Sequence, residues 1–491
     1  METFYTDLIS AKDGKIIPAK GKTAFHSKYA PEKEAESFAS QFQENGFFII
    51  AGLCGGYHIQ KLHEKFPSSK IAAVESSTAD ILFLSKIECV RNLAAKGNIF
   101  ITDLENLEKT IIENYLPALD GNLYFKPLRS YENEFPETVK KSEEIIQNAL
   151  KIVSADFSVQ KHFGKTWQRN ILENLSIAQS CETFTGFIKN FDTSKTAAII
   201  AAGPSLNKSV LELKKNRGKY FIISTDTAYG ALEKNGVSAD VVVSVDGQMV
   251  SHSHFMFKPQ PQTKFVFDLC ACPSAARKLI KGGSKIIFSE SSHPLANFAN
   301  HYDGKNHFVH LETGSGTVTI AAANFAAAAG FNQIKLFGAD FSYIDGLPYA
   351  KGTYLDTNFR RNETRILNAE TKFVNLLYRT KTIKISENAF TTEILQSYKT
   401  TMEEFFKSHG IKKIRENEYL AVKNENKAIY ENFDFFDFKK KFISELKKIK
   451  SGNKIDTSAP IFMTLLPLCA SLGEKSSFLA YSKTLGYTER I

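Results

Sequence analysis

Four short stretches of the chain hold the residue types that bind or move charged groups. Ala202-Gly203-Pro204-Ser205-Leu206 directly follows the apolar run AAIIA. A small loop at the carboxyl end of a strand exposes backbone N–H groups, and the start of the next helix favours an anion. Ser205 can cap that helix or reach a ligand. The next two strands of this half end in Asp226, followed by Thr227 (IISTDTA), and in Asp246 (VVVSVDGQ). Carboxylates beyond strand ends can hold ribose hydroxyls, a base edge or a metal. Thr313-Gly314-Ser315-Gly316-Thr317 opens an alanine-rich helix and offers N–H groups and hydroxyls to a phosphate. A further strand reaches Asp340, and the loop FSYIDGLPYAKGTY then carries Tyr343 and Tyr349. Two phenols on one loop can hydrogen-bond a departing phosphate without metal. Each patch also has an ordinary reading: a strand-to-helix turn, a helix cap, or a packed loop tyrosine.

The elements that must position these residues are α/β units. At the N-terminus, the apolar run Phe47 to Ala51 is followed by Gly52, Gly55 and Gly56 and an amphipathic helix. A second strand ends in Glu75, which stands 23 residues after Gly52. That offset is near the roughly 20 residues separating the glycine turn from the ribose-binding acid of a dinucleotide fold. The pattern lacks a full GxGxxG, and Cys54 and Tyr57 stand where small residues fit, so a structural role for this fold is preferred over a cofactor site.

Strands alternating with helices predict a doubly wound, mostly parallel sheet. The expected organisation is a Rossmann-like domain over 1–155, a central α/β domain over 156–385 and a helical domain over 386–491. KHFGKTWQRNILENLSIAQ is read as a helix linking the first two.

Composition narrows the class. The chain has 491 residues, 62 Lys plus Arg against 53 Asp plus Glu, a net charge of +9, and 43% hydrophobic residues. A chain of this length and apolar content folds into more than one core. Six scattered cysteines without CxxC pairing argue against a disulfide framework or a structural zinc site. No apolar run approaches the roughly 20 residues that span a bilayer, and no secretory leader is evident, so a cytoplasmic location is expected. The basic helix FKKKFISELKKIKSG is read as a solvated face, and no nucleic-acid surface is expected.

The order AAGPSL, STDTAYGAL, ADVVVSVDGQ and GSGTVTIAAANFAAAAGFNQIKLFGADFSY with YAKGTY, preceded by FGKTWQRNILENL, resembles the motility associated factor (Maf) family of flagellin glycosyltransferases. The likeness runs from about residue 45 to 380. It implies transfer of a nonulosonic acid of the pseudaminic, legionaminic or sialic type from a CMP-activated donor to Ser or Thr of flagellin. The central domain is also similar to bacterial CMP-sialic acid sialyltransferases.

That second likeness implies that Gly203, Pro204 and Ser205 form the nucleotide phosphate loop and that Asp226 and Asp246 stand where amide residues contact the donor. By the same likeness Ser315, Gly316 and Thr317 form the donor-binding helix start, and Tyr343 and Tyr349 the phenol pair. The lid histidine of those enzymes has no counterpart after Tyr349, since only His409 follows. Asp246 and His293 (IIFSESSHPLANF) are therefore the candidate bases. No cofactor is required under this reading, and divalent-metal dependence stays open. Archaeal-type 6-hydroxymethylpterin diphosphokinase shares the GPSL and Asp-ended strand scheme, which gives an ATP- and magnesium-dependent pyrophosphokinase as the alternative. A non-catalytic flagellin-binding protein is the third reading.

Overall fold

The structure is a computed structural model that describes residues 3–313, 317–421, 428–452, 454–473 and 476–491. The chain forms two compact units. One comprises Met1–His162 with Cys469–Ser476, the other Phe163–Leu468 with Ser477–Ile491.

The first unit begins with a small antiparallel sheet of β1 (Asp7–Ser10), β2 (Ile16–Lys20) and β3 (Thr23–Ala24). Its main sheet has four parallel strands, β4 (Phe47–Ala51), β5 (Lys70–Glu75), β6 (Ile99–Asp103) and β7 (Leu123–Pro127), in the order β6-β5-β4-β7. Every residue of β4 is buried, which is why it reads as a continuous apolar run rather than an alternating one. The order reverses at β4, as expected for a Rossmann-like wheel.

The second unit is built on a nine-stranded sheet. It comprises β8 (Thr196–Ile200), β9 (Tyr220–Thr225), β10 (Val241–Ser244), β11 (Lys264–Asp268), β12 (Ile286–Glu290), β13 (Val309–His310) and β14 (Gln333–Phe337). The hairpin β18 (Lys412–Arg415) and β19 (Glu418–Leu420) completes it. The order is β13-β12-β11-β10-β9-β8-β14-β19-β18, parallel from β13 to β14 and antiparallel thereafter. A separate three-stranded sheet joins β15 (Tyr343–Ile344), β16 (Ile383–Lys384) and β17 (Ala389–Thr391). The alanine-rich helix Val318–Ala328 is buried along most of its length, and its small side chains let it pack closely on the sheet.

Two expectations about the chain's organisation change. Residues 386–491 do not form a purely helical domain, because β19 pairs with β14 and extends the central sheet. The segment KKIRENEYL hides this: all four residues of β18 are exposed, so no apolar run marks it. The segment read as a linking helix is the second half of one 43-residue helix, Pro136–Ala178, whose residues from Phe163 onward belong to the second unit. Other expectations hold. Phe435–Lys448 is amphipathic with Phe442 and Leu446 buried, and the apolar stretch around Leu466–Leu472 is buried. Among the described residues no helix is long and apolar enough to cross a membrane.

Candidate functional site

The central sheet reverses its order between β8 and β14, so the crevice of an open α/β sheet lies at their carboxyl ends. Gly203 and Asp340 meet there. A Cβ on Gly203 would stand 2.5 Å from Asp340 Oδ2 and 2.5 Å from the Gly338 carbonyl, so no other residue fits without displacing the turn. The Gly203 N–H donates to Gly338 O at 2.8 Å. Ser205 donates to Asp340 twice, from its backbone N–H at 2.8 Å and from Oγ at 2.5 Å. The anion at the start of helix Leu206–Lys215 is thus the protein's own Asp340 carboxylate. This corrects the reading of Gly203, Pro204 and Ser205 as an open phosphate cradle, since the Ser205 N–H is already taken.

The loop bearing the two phenols is tied to the same turn. Ala350 N–H donates to Ala202 O at 2.8 Å, and Lys351 N–H to Asn207 Oδ1 at 2.9 Å. Tyr349 is 39% exposed as a residue, and Tyr343, Tyr398 and the Arg379 guanidinium are near enough for their charges to act on its hydroxyl. Burial, with the neighbouring phenols, raises its pKa above the ordinary tyrosine value, so it stays a hydrogen-bond donor at neutral pH. Tyr343 and Tyr349 are thus close enough to act on each other's charge.

Asp226 and Asp246 lie beyond the adjacent strands β9 and β10 and feel each other's charge. Asp226 is buried and committed: Oδ1 accepts from Thr227 N–H at 2.6 Å and from Thr227 Oγ1 at 3.1 Å, and Oδ2 from Ser244 Oγ at 2.7 Å. Asp246 is freer, with Oδ1 accepting from Gln248 N–H at 2.9 Å and no partner for Oδ2 among the described residues. Burial, then the like charge of Asp226, raise its pKa above the usual carboxylate value.

His293 is also beyond a strand end, but its chemistry is that of a cap. Nδ1 accepts from Leu295 N–H at 3.2 Å at the start of helix Pro294–His301, and the ring packs edge-on against Trp167. Burial pushes its pKa down to about 3, and with Nδ1 accepting, the neutral ring carries its proton on Nε2. That tautomer offers a donor where a base needs a lone pair. Thr317 caps helix Val318–Ala328 without a side-chain capping bond, whereas Gly314, Ser315 and Gly316 lie outside the described residues.

Sequence reasoning missed the residues that hold these loops. Asn170 and Asn174 sit one turn apart on helix Pro136–Ala178, both fully buried. Asn170 Nδ2 donates to Gly247 O at 2.9 Å and Cys270 O at 3.0 Å, and Asn174 Nδ2 to Leu269 O at 2.9 Å and Ala271 O at 2.8 Å. The two amides fasten the loops after β10 and β11, including the residue next to Asp246. Their signal was two Asn at i, i+4 spacing inside an apolar helical stretch. The acid row also continues: β11 ends in Asp268, held by burial at about 6, and β12 in Glu290, paired with His310 at 2.7 Å. Among the described residues no group of three His, Cys, Asp or Glu is arranged to hold a metal ion.

In the first unit the glycine turn after β4 is filled by the protein itself. A Cβ on Gly52 would stand 2.6 Å from Tyr131 Cγ. Glu75, fully buried, accepts from Tyr5 Oη at 2.9 Å and from Cys54 N–H at 3.2 Å, which raises no opening toward a ribose. Burial lifts its pKa to about 7. The arrangement agrees with a structural role for this fold.

Residues 169–346 match the family model for 6-hydroxymethylpterin diphosphokinase MptE-like proteins. An uncharacterized protein of Treponema pallidum (strain Nichols) is 39% identical over 150 residues, 30% of this chain and 70% of that protein. A second uncharacterized protein of the same organism is 38% identical over 154 residues, 31% of this chain and 54% of that protein. Among solved structures, a Maf glycosyltransferase from Magnetospirillum magneticum AMB-1 aligns over all of this chain and 91% of its own, with TM-score 0.44 and 12% identity. The chain belongs to the same family as the Treponema pallidum protein that it matches at 39% identity, and its residues 169–346 are similar to MptE-like proteins.

Proposed function

We propose that the protein is a glycosyltransferase that moves a nonulosonic acid from a CMP-activated donor to Ser or Thr of flagellin. The observation that carries this reading is the convergence at one sheet edge of the Gly203–Asp340 turn, the free carboxylate edge of Asp246 and the Tyr343/Tyr349 pair tied to that turn. The motif order shared with the Maf family supports it.

In this mechanism the acceptor hydroxyl oxygen attacks the anomeric carbon and its proton passes to Asp246 Oδ2. The bond from that carbon to the CMP phosphate oxygen breaks, and the electron pair leaves with CMP. A carboxyl held above its usual value by burial suits proton uptake at neutral pH. Tyr349, kept protonated, donates to the departing phosphate, which does not rest on the Ser205 N–H because Asp340 engages it. Asp340, half-buried, accepts from donor hydroxyls through the lone pairs that Ser205 leaves free.

The match to MptE-like proteins favours a second reading, an ATP- and magnesium-dependent pyrophosphokinase in which Asp226 and Asp246 serve the metal. Calorimetric titration separates them. The transferase reading expects saturable binding of CMP without metal, with the donor-site component lost on Gly203→Ala. Binding of ATP with magnesium and none of CMP would replace it with the kinase.

A further inference from the structure

The helix Pro136–Ala178 has two working faces in the second unit. Trp167, Asn170 and Asn174 face the loops after β10 and β11. Residues at the complementary spacing, Lys165, Gln168, Arg169 and Leu172, line a cavity of about 670 Å³ closed on its other side by Leu468 and the final helix Ser477–Arg490. An α-helix with its side chains is roughly 10 Å across, so this cavity is separate from the proposed donor site. Its volume falls within the range of small-molecule sites, about 300–1,000 Å³.

Three features define what fits. Leu172 and Leu468, both buried, give an apolar floor, and Tyr487 stands in the wall with its hydroxyl fixed to Glu173 Oε1 at 2.6 Å. Lys165, Lys483 and Arg490 line the cavity as exposed cations, and none has a carboxylate within salt-bridge distance among the described residues. Gln168 is 4% exposed, donates from Nε2 to Thr484 Oγ1 at 3.2 Å, and leaves Oε1 without a partner. Leaving a buried acceptor unpaired is costly, and a ligand donor would recover that cost. The nearby acid, Glu173, is already engaged by Arg277 at 2.7 Å and by Tyr487, so it does not neutralise the rim.

We propose that this cavity binds a phosphorylated aromatic heterocycle of the nucleoside monophosphate class, with the ring on the leucine floor beside Tyr487, an exocyclic amino group of the base donating to Gln168 Oε1, and the phosphate on Lys483 and Arg490. The site lies outside the residues that carry the transferase or kinase chemistry, so it stands or falls independently of either.

The test is calorimetry on the full chain with AMP, adenosine and inorganic phosphate as probes, repeated on the Lys483→Glu/Arg490→Glu double variant and on Gln168→Leu. Both charge reversals fall on exposed side chains, and an unchanged unfolding midpoint verifies the double variant's fold. The expected result is saturable AMP binding, at least tenfold tighter than adenosine or phosphate, weakened at least tenfold by the double variant and several-fold by Gln168→Leu. AMP binding that is absent at millimolar concentration, or equal in wild type and the double variant, overturns the proposal.

Discussion

Asn170 gives the sharpest test of how the site is held. Its amide is fully buried and donates to two carbonyls on separate loops, Gly247 O and Cys270 O. In Asn170→Ala both acceptors lose their donor. Each orphaned buried group costs about 1–3 kcal/mol, so the pair costs about 2–6 kcal/mol. A water entering the vacated volume recovers part of this, which leaves about 3 kcal/mol.

For a unit of about 320 residues that is a fall of about 4–5 °C in the second unit's melting transition. Asn170→Leu separates the causes: it fills the volume yet restores no donor, so it should lose nearly as much as alanine. Differential scanning calorimetry reads both. Because Gly247 follows Asp246 directly, donor turnover in both variants should fall more than their folded fraction does. If Asn170→Leu melts within about 0.5 kcal/mol of wild type, the two hydrogen bonds are not what holds these loops.

The remaining predictions address single contacts. Gly203→Ala places a methyl 2.5 Å from Asp340 Oδ2 and from Gly338 O, and should abolish the donor-site component of CMP binding with a stability loss of about 1–3 kcal/mol in urea unfolding. Tyr349→Phe removes the phenol donor and should lower kcat by about tenfold or more with little change in KM, read by steady-state release of CMP.

Glu75 is held at about 7 by burial, against an unfolded value of 4.5. The folded state therefore binds the extra proton between those values, so stability is fully present below about 4.5 and is lost as pH rises through 7. The loss amounts to about 3 kcal/mol. Glu75→Gln should flatten that slope for the first unit, measured by urea unfolding at pH 5 and pH 8; a slope unchanged by the substitution contradicts the assignment.

Much of this architecture was legible because buried parallel strands are continuous apolar runs, and β4, β8, β9 and β10 all announce themselves that way. The carboxylates beyond their ends were equally visible, since Asp226 and Asp246 each follow the apolar run of one of two adjacent strands. What escaped was pairing at a distance. The hairpin Lys412–Leu420 joins the sheet through backbone hydrogen bonds that need no apolar side chains. Tyr131 fills the turn at Gly52 from 79 residues away, and no local pattern encodes that. Asp340 capping Ser205 is the same kind of event: both residues were singled out, but nothing in their spacing says that one satisfies the other. Asn170 and Asn174 were hidden by their context, because polar residues in a helix read as its solvent face until the opposing loops are known.

The most direct test of the account is a mass measurement. Purified protein incubated with CMP-pseudaminic acid and flagellin, without added metal, should give flagellin carrying the mass of the sugar and release an equivalent of CMP, with both signals lost in Gly203→Ala. Unmodified flagellin and intact donor, with or without a divalent metal and with other CMP-nonulosonic acids in its place, would contradict the central claim.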